Sequence, residues 1–127
     1  MVKFVVTTER RYWWTVKVRV PNADERRANQ FEEFSFKVQF EDIGTEEADQ
    51  ILSEVNALPV EQRVTRQHDL LLRVVTNWDQ DIVDEEGNAI PFDTPKLRAL
   101  LDDGRFATGL WRAWGDSQRD EGGRRKN

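Results

Sequence analysis

The chain has 127 residues and a formal net charge of −5, with 34% charged and 38% apolar side chains and no cysteine. That length suits one domain able to bury roughly two-thirds of its unfolded surface. Without cysteine there is no disulfide, no thiolate chemistry and no Cys-ligated zinc, and the acidic balance counts against a nucleic-acid partner, which needs a basic face. No segment approaches the length of a membrane span, and the N-terminus has neither a signal-peptide apolar stretch nor a cleavage site. A soluble intracellular protein with no membrane partner is therefore expected.

The first part of the chain reads as β. Phe4-Val5-Val6 is a short apolar run. Trp14, Val16, Val18 and Val20 then alternate with Trp13, Thr15, Lys17 and Arg19, the period-two pattern of a strand with one buried face. Pro21 closes it, and the polar stretch from Pro21 to Gln30 reads as a flexible loop. Phe34, Phe36, Val38 and Phe40 form a second alternating set, with Glu33, Ser35, Lys37 and Gln39 outward. The two long strands are expected to pair antiparallel, with Phe4 to Val6 as a third strand beside one of them. A sheet with one apolar face needs a cover.

Helices supply that cover. Thr45 is placed to cap a helix with Glu46 and Glu47 in its first turn, where the helix dipole favours acids. Ala48, Ile51, Leu52 and Val55 share one face, and Pro59 ends the element. A second helix from about Glu61 sets Val64, His68, Leu71, Leu72, Val75 and Trp78 on one side. The block from Trp78 to Leu101 reads as a packing device. Ile82 and Val83 lead into Asp84-Glu85-Glu86-Gly87-Asn88, where Gly87 and Asn88 tolerate positive φ, and Ile90 and Phe92 return from it. Pro91 cannot donate to a ladder and favours an edge or non-strand position. Thr94 is a good N-cap before Pro95, Leu97, Leu100 and Leu101 follow at helical spacing, and Gly104 is a plausible C-cap. A last helix from about Arg105 carries Phe106, Leu110, Trp111 and Trp114. Ser117 to Asn127 is polar and charged, with two glycines and no apolar residue, and reads as a flexible tail. The expected architecture is one α+β domain over residues 1–116. It has a small N-terminal antiparallel sheet of about three strands, covered by about four helices.

Catalytic and metal constellations are sparse. His68 is the sole histidine and falls on an apolar helix face, which suits packing better than catalysis. Nothing positions Ser35, Ser53 or Ser117 near it as a nucleophile. Carboxylate pairs are abundant in a chain this acidic and carry no information about glycosidase-type chemistry. Gly122-Gly123 opens no helix and makes no phosphate loop. The acidic turn fails as a calcium loop in both registers. Counted from Asp79, Val83 falls on a ligand position and Asp84 on the glycine position; counted from Asp84, Ala89 replaces the glycine and Pro95 the closing glutamate. Neither enzyme chemistry, a cofactor nor a metal is expected.

Binding is the better use of the aromatic residues. Trp13 and Trp14 point to opposite sides of their strand, so Trp13 should face away from the core, beside Tyr12. Trp111 and Trp114 share a helix face; core packing is the plain account of them, and partner contact the other. Tyr12, Trp13, Trp111 and Trp114 are thus the candidate partner-binding residues. The free edge of the sheet is a template for adding a partner's strand, and Arg10, Arg11, Lys17 and Arg19 are placed to steer an acidic segment.

The order of these parts resembles the tail assembly chaperones of siphophage-type bacteriophages. Such chains have a short β portion with an apolar strand ending at proline, a polar loop, a Phe-rich strand and a capped acidic helix. A Trp-Asp anchor follows, then a stretch like Val83-Asp84-Glu85-Glu86-Gly87-Asn88. The Pro91-Phe92-Asp93 turn opens a Leu-rich helix, and an aromatic helix and a basic tail, here Arg124-Arg125-Lys126-Asn127, complete the series. The loop from Pro21 to Gln30 is more charged than the family pattern, and Trp13-Trp14 is heavier.

The resemblance implies a non-enzymatic protein of the infected bacterial cytoplasm, absent from the mature virion. Its partner would be the tape measure protein, kept soluble until tail tube subunits displace the chaperone. A longer frameshifted product would recruit the major tail protein, and self-association is expected. A structural tail or head-completion component of a phage particle, or an unrelated small protein-binding module, is the alternative.

Overall fold

The computed structural model describes residues 2–7 and 9–119. Its elements run β1 (Arg11–Pro21), β2 (Phe31–Glu41), α1 (Thr45–Ala57), α2 (Val60–Val74), β3 (Val75–Trp78), α3 (Thr94–Leu100) and α4 (Gly104–Gln118). The three strands form one antiparallel sheet in the order β1-β2-β3, and the fold is α+β.

β1 and β2 make a long hairpin in unbroken register from Arg11↔Glu41 to Pro21↔Phe31. In the connection, the Asp24 carboxylate caps a short 3₁₀ turn, Glu25–Arg27, and Asn29 adopts φ 69°. Alternation buries Val16, Val18, Phe36, Val38 and Phe40. It does not bury the whole apolar set. Trp14 stays 38% exposed and Phe34 48% exposed, because the helices cover the middle of the hairpin and leave the remainder open.

The third strand is Val75–Trp78, not Phe4–Val6. β3 pairs with β2 at Val38↔Trp78, Gln39↔Asn77 and Phe40↔Val75, with a register shift between Gln39 and Phe40. Residues three apart on a regular strand face opposite sides, so Val75 and Trp78 can both be buried only because of that irregularity. Their spacing imitates a helical face, and the helix expected to carry them ends instead at Val74. Phe4, Val5 and Val6 are solvent-exposed and belong to no strand. The Arg10 guanidinium holds this segment, lying 4.7 Å over the Phe4 ring and donating to the Val5 carbonyl at 2.8 Å.

The helix boundaries follow their polar partners. Gly44, at φ 88°, is the N-cap of α1 in place of Thr45, and the Asp42 carboxylate accepts its N–H. α1 buries Ala48, Ile51 and Val55, and stops at Leu58, one residue before Pro59. α2 buries Leu70, Leu71 and Val74 while Val64 is exposed, and a bidentate Arg73–Glu47 pair ties it to α1. Asp93, not Thr94, caps α3 by accepting from the Lys96 amide at 2.8 Å. Gly104 does not close α3. It opens α4 behind Asp103, whose carboxylate takes the Arg105 and Phe106 amides. α4 also extends past the expected boundary at residue 116, taking in Ser117 and Gln118, while residues 120–127 of the expected tail lie outside the described residues.

α4 seats the core on the hairpin. Phe106 stacks on Phe36 with ring centroids 5.6 Å apart, and Leu110 and Trp114 are fully buried. The approach is closest at Gly109, where an added Cβ would lie 2.6 Å from the Lys17 carbonyl oxygen and 3.0 Å from a Val18 methyl. Only a hydrogen on that side of the helix fits. Gly109→Ala should therefore push α4 off β1 and cost about 1–3 kcal/mol, despite alanine's better helix propensity. Thermal melting checks this, with Gly115→Ala, which meets nothing within 4 Å, as the tolerated control.

Candidate partner-binding surface

The residues weighed for catalysis do not converge. His68 is half-buried on α2 beside a cleft shared with Leu101 and Ala107. Ser35 and Ser53 are exposed on β2 and α1, and Ser117 is engaged by Tyr12. Among the described residues, no three His, Asp or Glu side chains gather to hold a metal ion.

The carboxylates of the acidic turn instead bind main-chain amides. Asp79 accepts from Lys37 and Asp81 at 3.0 Å each, and Asp84 from Glu86 and Asn88 at 2.9 Å each. Gly87 alone takes positive φ there, at 86°, and Val83 bridges to Ala89. The Trp78 indole donates to the Ile90 carbonyl at 2.7 Å and meets Phe92 edge-on with centroids 4.9 Å apart. This pins the turn to the end of β3.

The four candidate contact residues fall in different environments. Trp13 lies on the outer face of β1, paired with Gln39 and 46% exposed. Tyr12 is half-buried, with its ring 5.7 Å from Phe40 and its hydroxyl bonded to Ser117 at 2.7 Å and Gln118 at 3.0 Å. Trp111 is half-buried. Trp114 is a correction: it is 0% exposed in the core and presents no surface to a partner. Its indole N–H is buried without a hydrogen-bond partner, so shape rather than polar recognition holds it there.

Other exposed apolar residues escape a reading of the sequence. Phe31 and Phe34 are 49% and 48% exposed, and Val60 and Val64 are 69% and 54% exposed. Phe34 belongs to the alternating set and so reads as core. Only the reach of the hairpin beyond its helical cover reveals it.

The outer edge of β1 is not an open template along its whole length. α4 closes it where Gly109 meets the Lys17 carbonyl and where Arg105 donates to the Arg19 carbonyl at 3.4 Å. Between them runs an open groove of about 590 Å³ lined by Lys17, Arg19, Phe31, Arg105 and Arg112. The guanidinium groups of Arg19 and Arg105 lie 4.7 and 5.6 Å from the Phe31 ring centroid. Arg10 and Arg11 do not join this cluster. They sit at the opposite end of β1, Arg10 over Phe4 and Arg11 3.9 Å from Glu41.

Comparison with protein-family models, with curated proteins and with solved structures finds no match for this chain. Among the described residues, no helix is long and apolar enough to cross a membrane.

Tyr12 is the one candidate whose titration reports its packing. Burial raises its pKa above the ordinary 10.0, an effect reinforced by Asp42 and opposed by the bonds to Ser117 and Gln118. The folded state thus holds the phenol proton more tightly than the unfolded chain, and stability contributed by Tyr12 is lost as pH rises above about 10. Tyr12→Phe should lower the melting temperature at pH 7, by the loss of hydrogen bonds worth about 0.5–1.5 kcal/mol each. It should also flatten the fall in melting temperature between pH 9 and 11 relative to the parent.

Proposed function

We propose that this chain is a non-enzymatic tail assembly chaperone of the siphophage type. It binds the tape measure protein and keeps it soluble in the cytoplasm of the infected bacterium until tail tube subunits take its place. The observation that carries the reading is the apolar surface left uncovered on a well-solvated acidic protein. Trp13, Trp14, Phe31, Phe34, Val60 and Val64 are all exposed, while the net charge is −5. Scattered exposed aliphatic residues are ordinary, but several exposed aromatic side chains on one hairpin are not. Such a surface can cover apolar helix faces of a client, and its charge keeps the complex dispersed. A long client presents that kind of face many times, so many weak contacts along it outperform one tight site. The order of motifs from Trp78 to Leu101 supports the same assignment. In this scheme a longer frameshifted form would bring in the major tail protein, and the chaperone would leave before the virion matures.

Co-expression tests the proposal. On this proposal a long, helical tape measure protein from the same genome should be largely insoluble alone and soluble with this chain. Trp13→Glu should reduce the soluble client severalfold while leaving the melting temperature within a few degrees, since an outward side chain adds little to the core. Equal client solubility with and without the chain would sink the proposal. Recovery of the chain in purified particles would favour a structural tail or head-completion component instead.

A further inference from the structure

An unpartnered strand former and an unpartnered strand edge coexist in this molecule, too far apart to meet each other. The first is the segment Val2-Lys3-Phe4-Val5-Val6-Thr7, rich in β-branched and aromatic residues. Val2, Phe4, Val5 and Val6 are 94%, 79%, 69% and 87% exposed, and the segment joins no sheet. The second is the β3-facing edge of β2. On that edge the Lys37 carbonyl accepts the Asp79 amide, the Lys37 amide donates to the Asp79 carboxylate, and the Gln39 carbonyl receives the Thr76 hydroxyl. Main-chain groups on a strand alternate sides, so those of Ser35 and Glu33 point the same way as those of Lys37 and Gln39. β3 pairs only with Val38, Gln39 and Phe40, and among the described residues nothing pairs with Ser35 or Glu33 on that side. Phe34, between them, is 48% exposed.

We infer that the Val2–Thr7 segment of one copy adds as a strand to the open Glu33–Phe36 edge of β2 in a second copy. Side-chain chemistry selects the register. With the added strand parallel to β2, Lys3 lies opposite Glu33, Phe4 opposite Phe34, Val5 opposite Ser35 and Val6 opposite Phe36. Cation then meets anion on the outer face, and apolar groups meet apolar groups on the core face.

The chain's own length makes the pairing intermolecular. Arg11 lies opposite Glu41 on the far side of β2. To reach Phe36 from there, Val6 must travel about 17 Å along the sheet and about 10 Å across it, around the position β3 fills. The diagonal is about 20 Å, whereas the intervening residues span at most about 18 Å fully extended. Each copy therefore offers one donor and one acceptor, the condition for reciprocal dimers or open head-to-tail chains. The inference stands apart from the chaperone assignment and needs no client.

The full chain, free of native cysteine, is well suited to the test. Mixed Val5→Cys and Ser35→Cys copies treated with a short bismaleimide should give a covalent heterodimer, and either variant alone much less product. In sedimentation, the average mass of the parent should rise with concentration. Removing residues 1–9, all of whose described members lie outside the core, should abolish the rise without changing the melting temperature. Lys3→Glu and Glu33→Lys should each weaken association severalfold, and the two together should restore it. A parent that stays monomeric at all concentrations overturns the inference. So does association that survives removal of residues 1–9, or cross-linking no greater in the mixture than in the single variants.

Discussion

The close seating of α4 on β1 is the contact on which the rest of the structure depends. A two-stranded hairpin is marginal in water by itself, and this one is long and carries aromatic residues on both faces. It becomes a sheet with an inside only where α4 lies against it. Gly109 permits that approach to within van der Waals contact of the Lys17 carbonyl. Phe106 then stacks on Phe36, Leu110 and Trp114 fill the space beneath, and Asp103 fixes where the helix starts. The far end of the same helix brings Ser117 and Gln118 to the Tyr12 hydroxyl, so α4 is fastened to β1 at both ends.

The second side of the sheet is closed by a different device. α2 ends at Val74 and the chain passes straight into β3, without a loop, because the β-branched run Val74-Val75-Thr76 fits a pleated strand as well as a helix. Trp78 then serves as the anchor for everything up to α3, through its hydrogen bond to Ile90 and its edge-on contact with Phe92. The intervening carboxylates of Asp79 and Asp84 stabilise the turn by capping amides. Two of the acidic residues in this stretch are thereby accounted for as local hydrogen-bond acceptors.

Because the cover is narrower than the hairpin, the surface divides by chemistry. Exposed aromatic residues lie along the uncovered hairpin, and a basic groove runs between β1 and α4 on a protein of negative net charge. The Arg19 and Arg105 guanidinium groups partly shield Phe31, which keeps an aromatic ring tolerable at the surface without burying it.

Local chemistry was enough to determine much of this protein. Strict alternation from Trp14 to Val20 and from Phe34 to Phe40 specified two strands, because a period of two has one reading over that length, and the short connection between them favoured antiparallel pairing. The helix starts were legible to within a residue; Asp93 prevailed over Thr94 as the cap of α3, and Asp103 sets the start of α4 at Gly104, one residue before the expected Arg105. Tertiary structure decided what depends on distant partners. Val75 and Trp78 carry a helical spacing, and only the irregular pairing with Gln39 and Phe40 turns both inward as a strand. Phe4 to Val6 have the composition of a strand but pair with no edge in their own copy. Trp14 and Val16 lie two apart on the same face of β1, yet one is 38% exposed and the other fully buried. That difference arises from where the helices cover the hairpin, a boundary set by packing between segments far apart in the chain.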